Sequence, residues 1–79
     1  MIQAYILINA RPGKEEEVLE KIKEIEGLKV IDYSLVYGEY DIVVKVEVEN
    51  LEKLRNIIIS NIRKIEGVEK TITLISALI

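Results

Sequence analysis

The chain has 79 residues, of which 25 are charged and 31 are Ile, Leu or Val, and it contains neither Cys nor His. A chain of this length forms one domain, here residues 1–79, and hides only about 60% of the surface its unfolded form would expose, so association with a partner would add to its stability. Without Cys there is no disulfide framework or thiolate metal site, and without His the usual general base and the usual nucleophile pairs are gone. No metal, cofactor or catalytic residue is therefore expected.

The net charge is −3, with acidic and basic residues interspersed. That argues against direct nucleic-acid binding, which calls for a basic stripe. No run approaches the ~18 apolar residues of a membrane span, and Met1 to Ala10 lacks the basic start of a signal peptide, so a cytoplasmic location away from membranes is expected. The 12 Glu and 8 Lys against 2 Asp, the 15 Ile and the single Gln make up a composition typical of a thermophile.

In chain order, Ile2 to Ala10 alternates Ile2, Ala4, Ile6 and Ile8 with Gln3, Tyr5, Leu7 and Asn9, the period of a strand with one apolar face. Arg11, Pro12 and Gly13 break the pattern. Glu15, Glu16 and Glu17 then put negative charge where a helix N-terminus is partly positive. The spacing predicts a helix from Lys14 to Glu26, with Val18, Leu19, Ile22 and Ile25 on one stripe, Glu17 and Lys21 paired outside, and Gly27 as its stop. Leu28 to Tyr37 reads as a second strand and Asp41 to Val48 as a third, joined by a very short loop of Gly38, Glu39 and Tyr40. Asn50 is a good N-cap for a helix carrying Leu51, Leu54, Ile57, Ile58, Ile62 and Ile65 inward until Gly67. Val68 to Leu78 is the last strand.

This order, βαββαβ, is that of the ferredoxin-like α+β fold: a four-stranded antiparallel sheet with two helices on one face. The triplet Ile25-Glu26-Gly27 recurs as Ile65-Glu66-Gly67, each time closing a helix before a strand, as the pseudo-twofold of such a fold requires. With both helices on one side, the opposite sheet face presents Tyr5, Leu7, Val43, Lys45, Thr73 and Ile75, with Asp32 and Ser34. Apolar patches of this kind mark interfaces. A homodimer through the sheet faces, with twofold symmetry, is expected.

One of the two Asp residues lies in the turn Tyr37-Gly38-Glu39-Tyr40-Asp41. An amino acid has an ammonium that suits a carboxylate and a carboxylate that suits unpaired backbone N–H groups, and a Gly-containing turn offers both. The plainer alternative is that Gly38 serves the turn and Asp41 accepts a local backbone hydrogen bond. Spacing leaves both open and favours the plainer one.

Tyr-Gly-Glu-Tyr-Asp followed by Ile42-Val43-Val44-Lys45-Val46, with Ala4-Tyr5-Ile6-Leu7-Ile8, Ile65-Glu66-Gly67-Val68 and Thr71-Ile72-Thr73, resembles the effector domain of the Lrp/AsnC family. These are the leucine-responsive and feast/famine regulators, and the domain is also called RAM, for regulation of amino-acid metabolism. The resemblance covers essentially the whole chain, and its most specific element is G-x-Y-D at Gly38 to Asp41. The helix-turn-helix DNA-binding domain of the full-length regulators has no counterpart, so the expectation is a stand-alone RAM domain.

The resemblance implies an amino-acid effector bound between dimers, near the loop joining the second and third strands, in a homodimer built up into a higher oligomer such as a ring of dimers. Carried over by motif, Gly38, Glu39, Tyr40 and Asp41 form the ligand loop, with Asp41 taking the ammonium, and Val36, Tyr37, Thr71 and Thr73 are contributed by neighbouring strands. The implied role is sensing an amino acid, or joining full-length Lrp/AsnC transcription regulators and altering their assembly.

Three other readings share this fold. A small cofactor-free enzyme of the dimeric α+β barrel type would use Tyr37, Tyr40 and Asp41 as its acid–base set. An ACT-like amino-acid-binding module would pair side by side rather than face to face. An RNA-binding RRM would stack bases on Tyr5 and Tyr33, against the sign of the net charge.

Overall fold

The computed structural model describes residues 1–77. The elements are β1 (Ile2–Ala10), α1 (Glu15–Lys23), β2 (Lys29–Leu35), β3 (Ile42–Val48), α2 (Leu51–Ser60), one 3-10 turn (Ile62–Lys64) and β4 (Val68–Ile75). All three strand pairings are antiparallel and the sheet order is β2-β3-β1-β4. The ferredoxin-like α+β architecture expected from the element order is therefore the one the chain adopts. The expected end of the last strand at Leu78 lies outside the described residues.

The period-two pattern decides which way each central strand faces. Ala4, Ile6, Ile8, Ile42, Val44, Val46 and Val48 are buried, and they join Val18, Leu19 and Ile22 of α1 and Leu54, Ile57 and Ile58 of α2 in one core. Each large side chain taken fully out of water there contributes about 1.5–3 kcal/mol, and Ile6, Ile8 and Ile42 are wholly buried. Asn50 caps α2 as expected, its Oδ1 accepting the Lys53 N–H at 2.8 Å.

Both helices are shorter than their apolar spacing predicts. α1 stops at Lys23, and the tighter bonds of Glu24 N–H to Lys21 O and Ile25 N–H to Ile22 O carry the chain into the turn before β2. The expected Glu17–Lys21 pair is replaced by Lys14–Glu17, Nζ to Oε1 3.5 Å. α2 gives way at Asn61, and Ile62–Lys64 continue as a 3-10 turn. Ile62 stays buried and Ile65 half-buried, so the inward stripe survives a break in the backbone helix.

Gly67 follows this turn at φ +102°, and a Cβ there would meet Lys14 Cβ at 3.0 Å and Val18 Cγ2 at 3.2 Å. Only glycine lets the start of β4 approach α1 so closely. Its carbonyl accepts the Arg11 N–H, which ties the end of β1 to the same place.

The sheet register corrects one expectation. Directly paired residues share a face, and Ala4 opposes Ile75, Ile6 opposes Thr73 and Ile8 opposes Thr71. Thr73 and Ile75 thus lie on the helix side, not on the open face. The open face instead carries Ile72 and Leu74, opposite Leu7 and Tyr5, together with Val43, Lys45, Asp32 and Ser34. A bulge at Ile31 shifts the phase of β2, so Tyr33 opposes Val44 on the helix side, where Lys23 Nζ lies 4.3 Å from its ring centre. Of the two residues an RNA-binding reading would stack bases on, only Tyr5 is on the open face.

Candidate functional site

The β2–β3 connection is longer than the expected turn, because β2 ends at Leu35 and β3 begins at Ile42. Residues 36–41 are held by a set of hydrogen bonds to each other and to β1. The Asp41 N–H donates to Ile8 O at 2.9 Å and its carbonyl accepts the Val36 N–H at 2.9 Å. Its carboxylate accepts the Ala10 N–H at 2.9 Å, and Asn9 Nδ2 donates to Glu39 O at 2.6 Å. Gly38, at φ +145° with no atom within 4 Å of a notional Cβ, provides the reversal at the tip.

Asp41 therefore does accept a backbone hydrogen bond, as the plainer reading held, but from the end of β1 rather than from its own turn. The bond fixes the carboxylate at the wall of a cleft of about 450 Å³ lined by Gly13, Glu15, Glu16, Leu35, Val36, Tyr37 and Asp41. Glu15 is itself oriented, accepting the Gly13 N–H at 3.1 Å. No Lys or Arg lines the cleft, so its field favours a positively charged group. Among the described residues, the backbone N–H groups of Tyr37, Gly38, Glu39 and Tyr40 donate to no protein acceptor, and of these residues Tyr37 lines the cleft.

The residues singled out from sequence are only partly brought together. Val36, Tyr37 and Asp41 line the cleft, with Gly38 and Glu39 at the exposed loop tip. Tyr40 turns toward β4, its ring centre 5.8 Å from Lys70 Nζ. Thr71 and Thr73 lie on β4, across β1 from the loop's β3 end, where they pair with Ile8 and Ile6, and neither lines the cleft. Of Tyr37, Tyr40 and Asp41, the first and last line the cleft while Tyr40 lies outside it, so the three are not gathered in one pocket. Tyr37 is wholly exposed, while Asp41 is bonded to β1. Gly13, Glu15 and Glu16 were not expected in the site; the three consecutive glutamates read only as partners for the helix dipole.

Among the described residues no group of three or more His, Cys, Asp or Glu is placed to hold a metal, and no helix is long and apolar enough to cross a membrane.

Four antiparallel strands in this order beneath two helices define the ferredoxin-like class of α+β domains. Within that class the chain belongs to the Lrp/AsnC family: the Lrp/AsnC ligand binding domain matches residues 3–77. It is 40% identical over 76 residues to an uncharacterized HTH-type transcriptional regulator of Pyrococcus horikoshii, a match covering 92% of this chain and 49% of that protein. The chain thus spans about half the length of the curated relatives it matches.

The crystal structure of a hypothetical protein from Pyrococcus horikoshii is similar at TM-score 0.84 and 41% identity, covering 99% of this chain and 92% of that one. A transcriptional regulator from Neisseria meningitidis, solved as a complex with L-Met, has the same fold at TM-score 0.83 over 98% of this chain and 50% of its own, at 15% identity. Relatives in Pyrococcus and Thermus fit the heat-adapted composition.

Proposed function

We propose that this chain is an oligomeric regulatory module that binds an amino acid at the 36–41 loop and reports its presence through assembly. The observation that carries the reading is the Asp41 carboxylate, held by the Ala10 N–H at the wall of a cleft with no basic residue. A carboxylate fixed in this way takes an ammonium without first having to be ordered. The four free N–H groups from Tyr37 to Tyr40 are suited to the α-carboxylate. The Neisseria regulator crystallised with L-Met has the same fold, and its ligand motivates the amino-acid class proposed here.

Two further elements complete the reading. The open face of the sheet, with Tyr5 39%, Ile72 36% and Leu74 51% exposed, pairs with that of a second copy about a twofold axis. The matched relatives are HTH-type regulators about twice as long, so the same face also admits mixed assemblies with them, which would place this module in transcriptional control.

Isothermal calorimetry of the purified chain against the twenty amino acids tests the ligand. A saturable signal is expected for at least one, weakened at least about tenfold in Asp41→Asn, which keeps an acceptor for Ala10 but loses the charge worth about 1.4 kcal/mol or more to an ammonium. No binding by any of them with the assembly intact would overturn the reading.

A further inference from the structure

We propose that the groove between α2 and β4 binds a small aryl carboxylate: an aromatic ring with an anionic arm and no ammonium. The groove is separate from the Asp41 cleft, and the two sites stand or fall independently.

The two halves of the fold repeat at a spacing of 40 residues, Gly27 to Gly67, and they differ where an edge strand passes its helix. Six positions after Gly27, Tyr33 of β2 faces the helix side, and Lys23 of α1 places Nζ 4.3 Å from its ring centre. Six positions after Gly67, Thr73 of β4 faces the helix side opposite Ile6. The residue 40 positions after Lys23 is Arg63. In the first half a ring beneath a cation bridges helix and strand; in the second half the cation is kept, but a threonine stands where the tyrosine would be.

That exchange opens a groove of about 410 Å³, within the range of about 300–1,000 Å³ that small-molecule sites occupy. Leu51, Ile59 and Ile75 in its wall are 53%, 44% and 46% exposed. Leu51, Arg55 and Ile59 stand at i, i+4 and i+8, so they share one side of α2, beside the stripe that enters the core. The counterpart of Ile59 in α1, 40 positions earlier, is Leu19, and it is buried. The apolar surface left wet is thus confined to the half that lacks the ring.

The charge of the groove selects the ligand. Arg55 and Arg63 line it and, among the described residues, no carboxylate does. Arg55 makes no ion pair among the described residues. Arg63 donates from Nε to Thr71 Oγ1 at 3.4 Å, which orients its guanidinium over β4. A guanidinium stacks on an aromatic face, so Arg63 covers the ligand ring as Lys23 covers Tyr33. Arg55 then pairs with the carboxylate. An amino acid fits less well, because no acidic group in the groove receives its ammonium.

Calorimetry and NMR shift mapping of the full chain with phenylacetate test the site. Saturable binding is expected, with the shifts centred on Ile59, Thr73 and Ile75. Benzylamine, which has the ring with the opposite charge, and hexanoate, which has the charge without the ring, should each bind at least about tenfold more weakly. Arg55→Gln should weaken phenylacetate at least about tenfold. Thr73→Tyr rebuilds the ring of the first half in the second, and it should abolish binding by filling the groove. Arg55 is exposed and Thr73 half-buried, so circular dichroism should report an intact fold in both variants.

No binding of phenylacetate, or binding that neither Arg55→Gln nor Thr73→Tyr changes, would overturn the proposal. So would a fall in particle size for Thr73→Tyr in light scattering when wild type binds no phenylacetate, which would assign the groove to a second copy. The amino-acid titrations read the Asp41 cleft separately. A chain that binds an amino acid but no phenylacetate loses this site and keeps the proposed function, and the opposite result does the reverse.

Discussion

The Asp41 carboxylate accepts the Ala10 backbone N–H at 2.9 Å, across 31 positions of sequence. This bond ties the loop between β2 and β3 to the end of β1, and it makes one side chain both a structural acceptor and the proposed ligand group. The two roles separate by substitution. Asp41→Ala leaves the N–H of buried Ala10 without its partner and should cost about 1–3 kcal/mol, whereas Asp41→Asn keeps an acceptor and should cost less than about 1 kcal/mol. Urea denaturation of the two variants checks this. Equal costs would mean that the carboxylate does not hold β1.

Gly13 and Gly67, both beside the start of α1, make a second comparison. Gly13 has φ +87° and no atom within 4 Å of a notional Cβ, whereas Gly67, at φ +102°, would drive a Cβ to 3.0 Å from Lys14 Cβ. Gly13→Ala therefore meets only the left-handed backbone cost, about 1–2 kcal/mol. Gly67→Ala adds a steric one, with overpacking of a close contact worth typically about 1–3 kcal/mol more. Thermal melts should rank Gly67→Ala below Gly13→Ala, with each kcal/mol moving the midpoint by about 4–8 °C in a domain of this size.

The central strands were legible in the sequence because both faces of β1 and β3 are constrained: Ile6 and Val44 could face only the core. β4 was harder. It is an edge strand in which Ile72, Leu74 and Ile75 are all apolar, so its pattern fits either phase, and the irregularity at Asn9 and Ala10 that helps set its register belongs to a different segment. The break in α2 at Asn61 was hidden because Ile62 and Ile65 keep their inward spacing through the 3-10 turn. Of the residues that line the candidate cleft, Asp41 and Tyr37 belong to a local motif. Glu15 and Glu16 were missed because their place in the cleft follows from packing between segments about twenty residues apart, which no local spacing encodes.

The start of α2 yields a pH dependence. Lys53 donates its backbone N–H to Asn50 Oδ1 and its Nζ to Glu49 Oε1 at 2.9 Å. The hydrogen bond from Lys53, then its charge, hold the Glu49 carboxyl below its ordinary value of 4.5. A carboxylate lowered in the folded state stabilises fully above its unfolded value and loses that contribution as pH falls through the folded one. Lys53→Gln should thus lower the melting temperature slightly at neutral pH, with the difference from wild type closing as the solution is acidified below 4.5. Asn50→Ala removes a cap worth about 1 kcal/mol, and its deficit should be the same at both ends of that range. A Lys53→Gln deficit that persists at low pH would assign the effect to something other than the pair.

Ile6 and Leu7 are neighbours in β1 with opposite surroundings. Ile6 is wholly buried beneath the helices, while Leu7 lies on the open face between Val43 and Ile72. Ile6→Ala should cost about 2–5 kcal/mol through lost burial and a cavity. Leu7→Lys touches no core residue and should leave the stability of an isolated subunit nearly unchanged, but it puts a charge where a twofold partner would bring its own Leu7 or a neighbour. If the open face is the dimer interface, wild-type melting temperature rises with protein concentration, as it must when association stabilises the folded state. Leu7→Lys should abolish that dependence, and Ile6→Ala should lower the whole curve while keeping its slope. A wild type whose midpoint does not change with dilution, with Leu7→Lys melting alongside it, would show the open face to be solvent-exposed in the folded protein and would remove the sheet-face dimer.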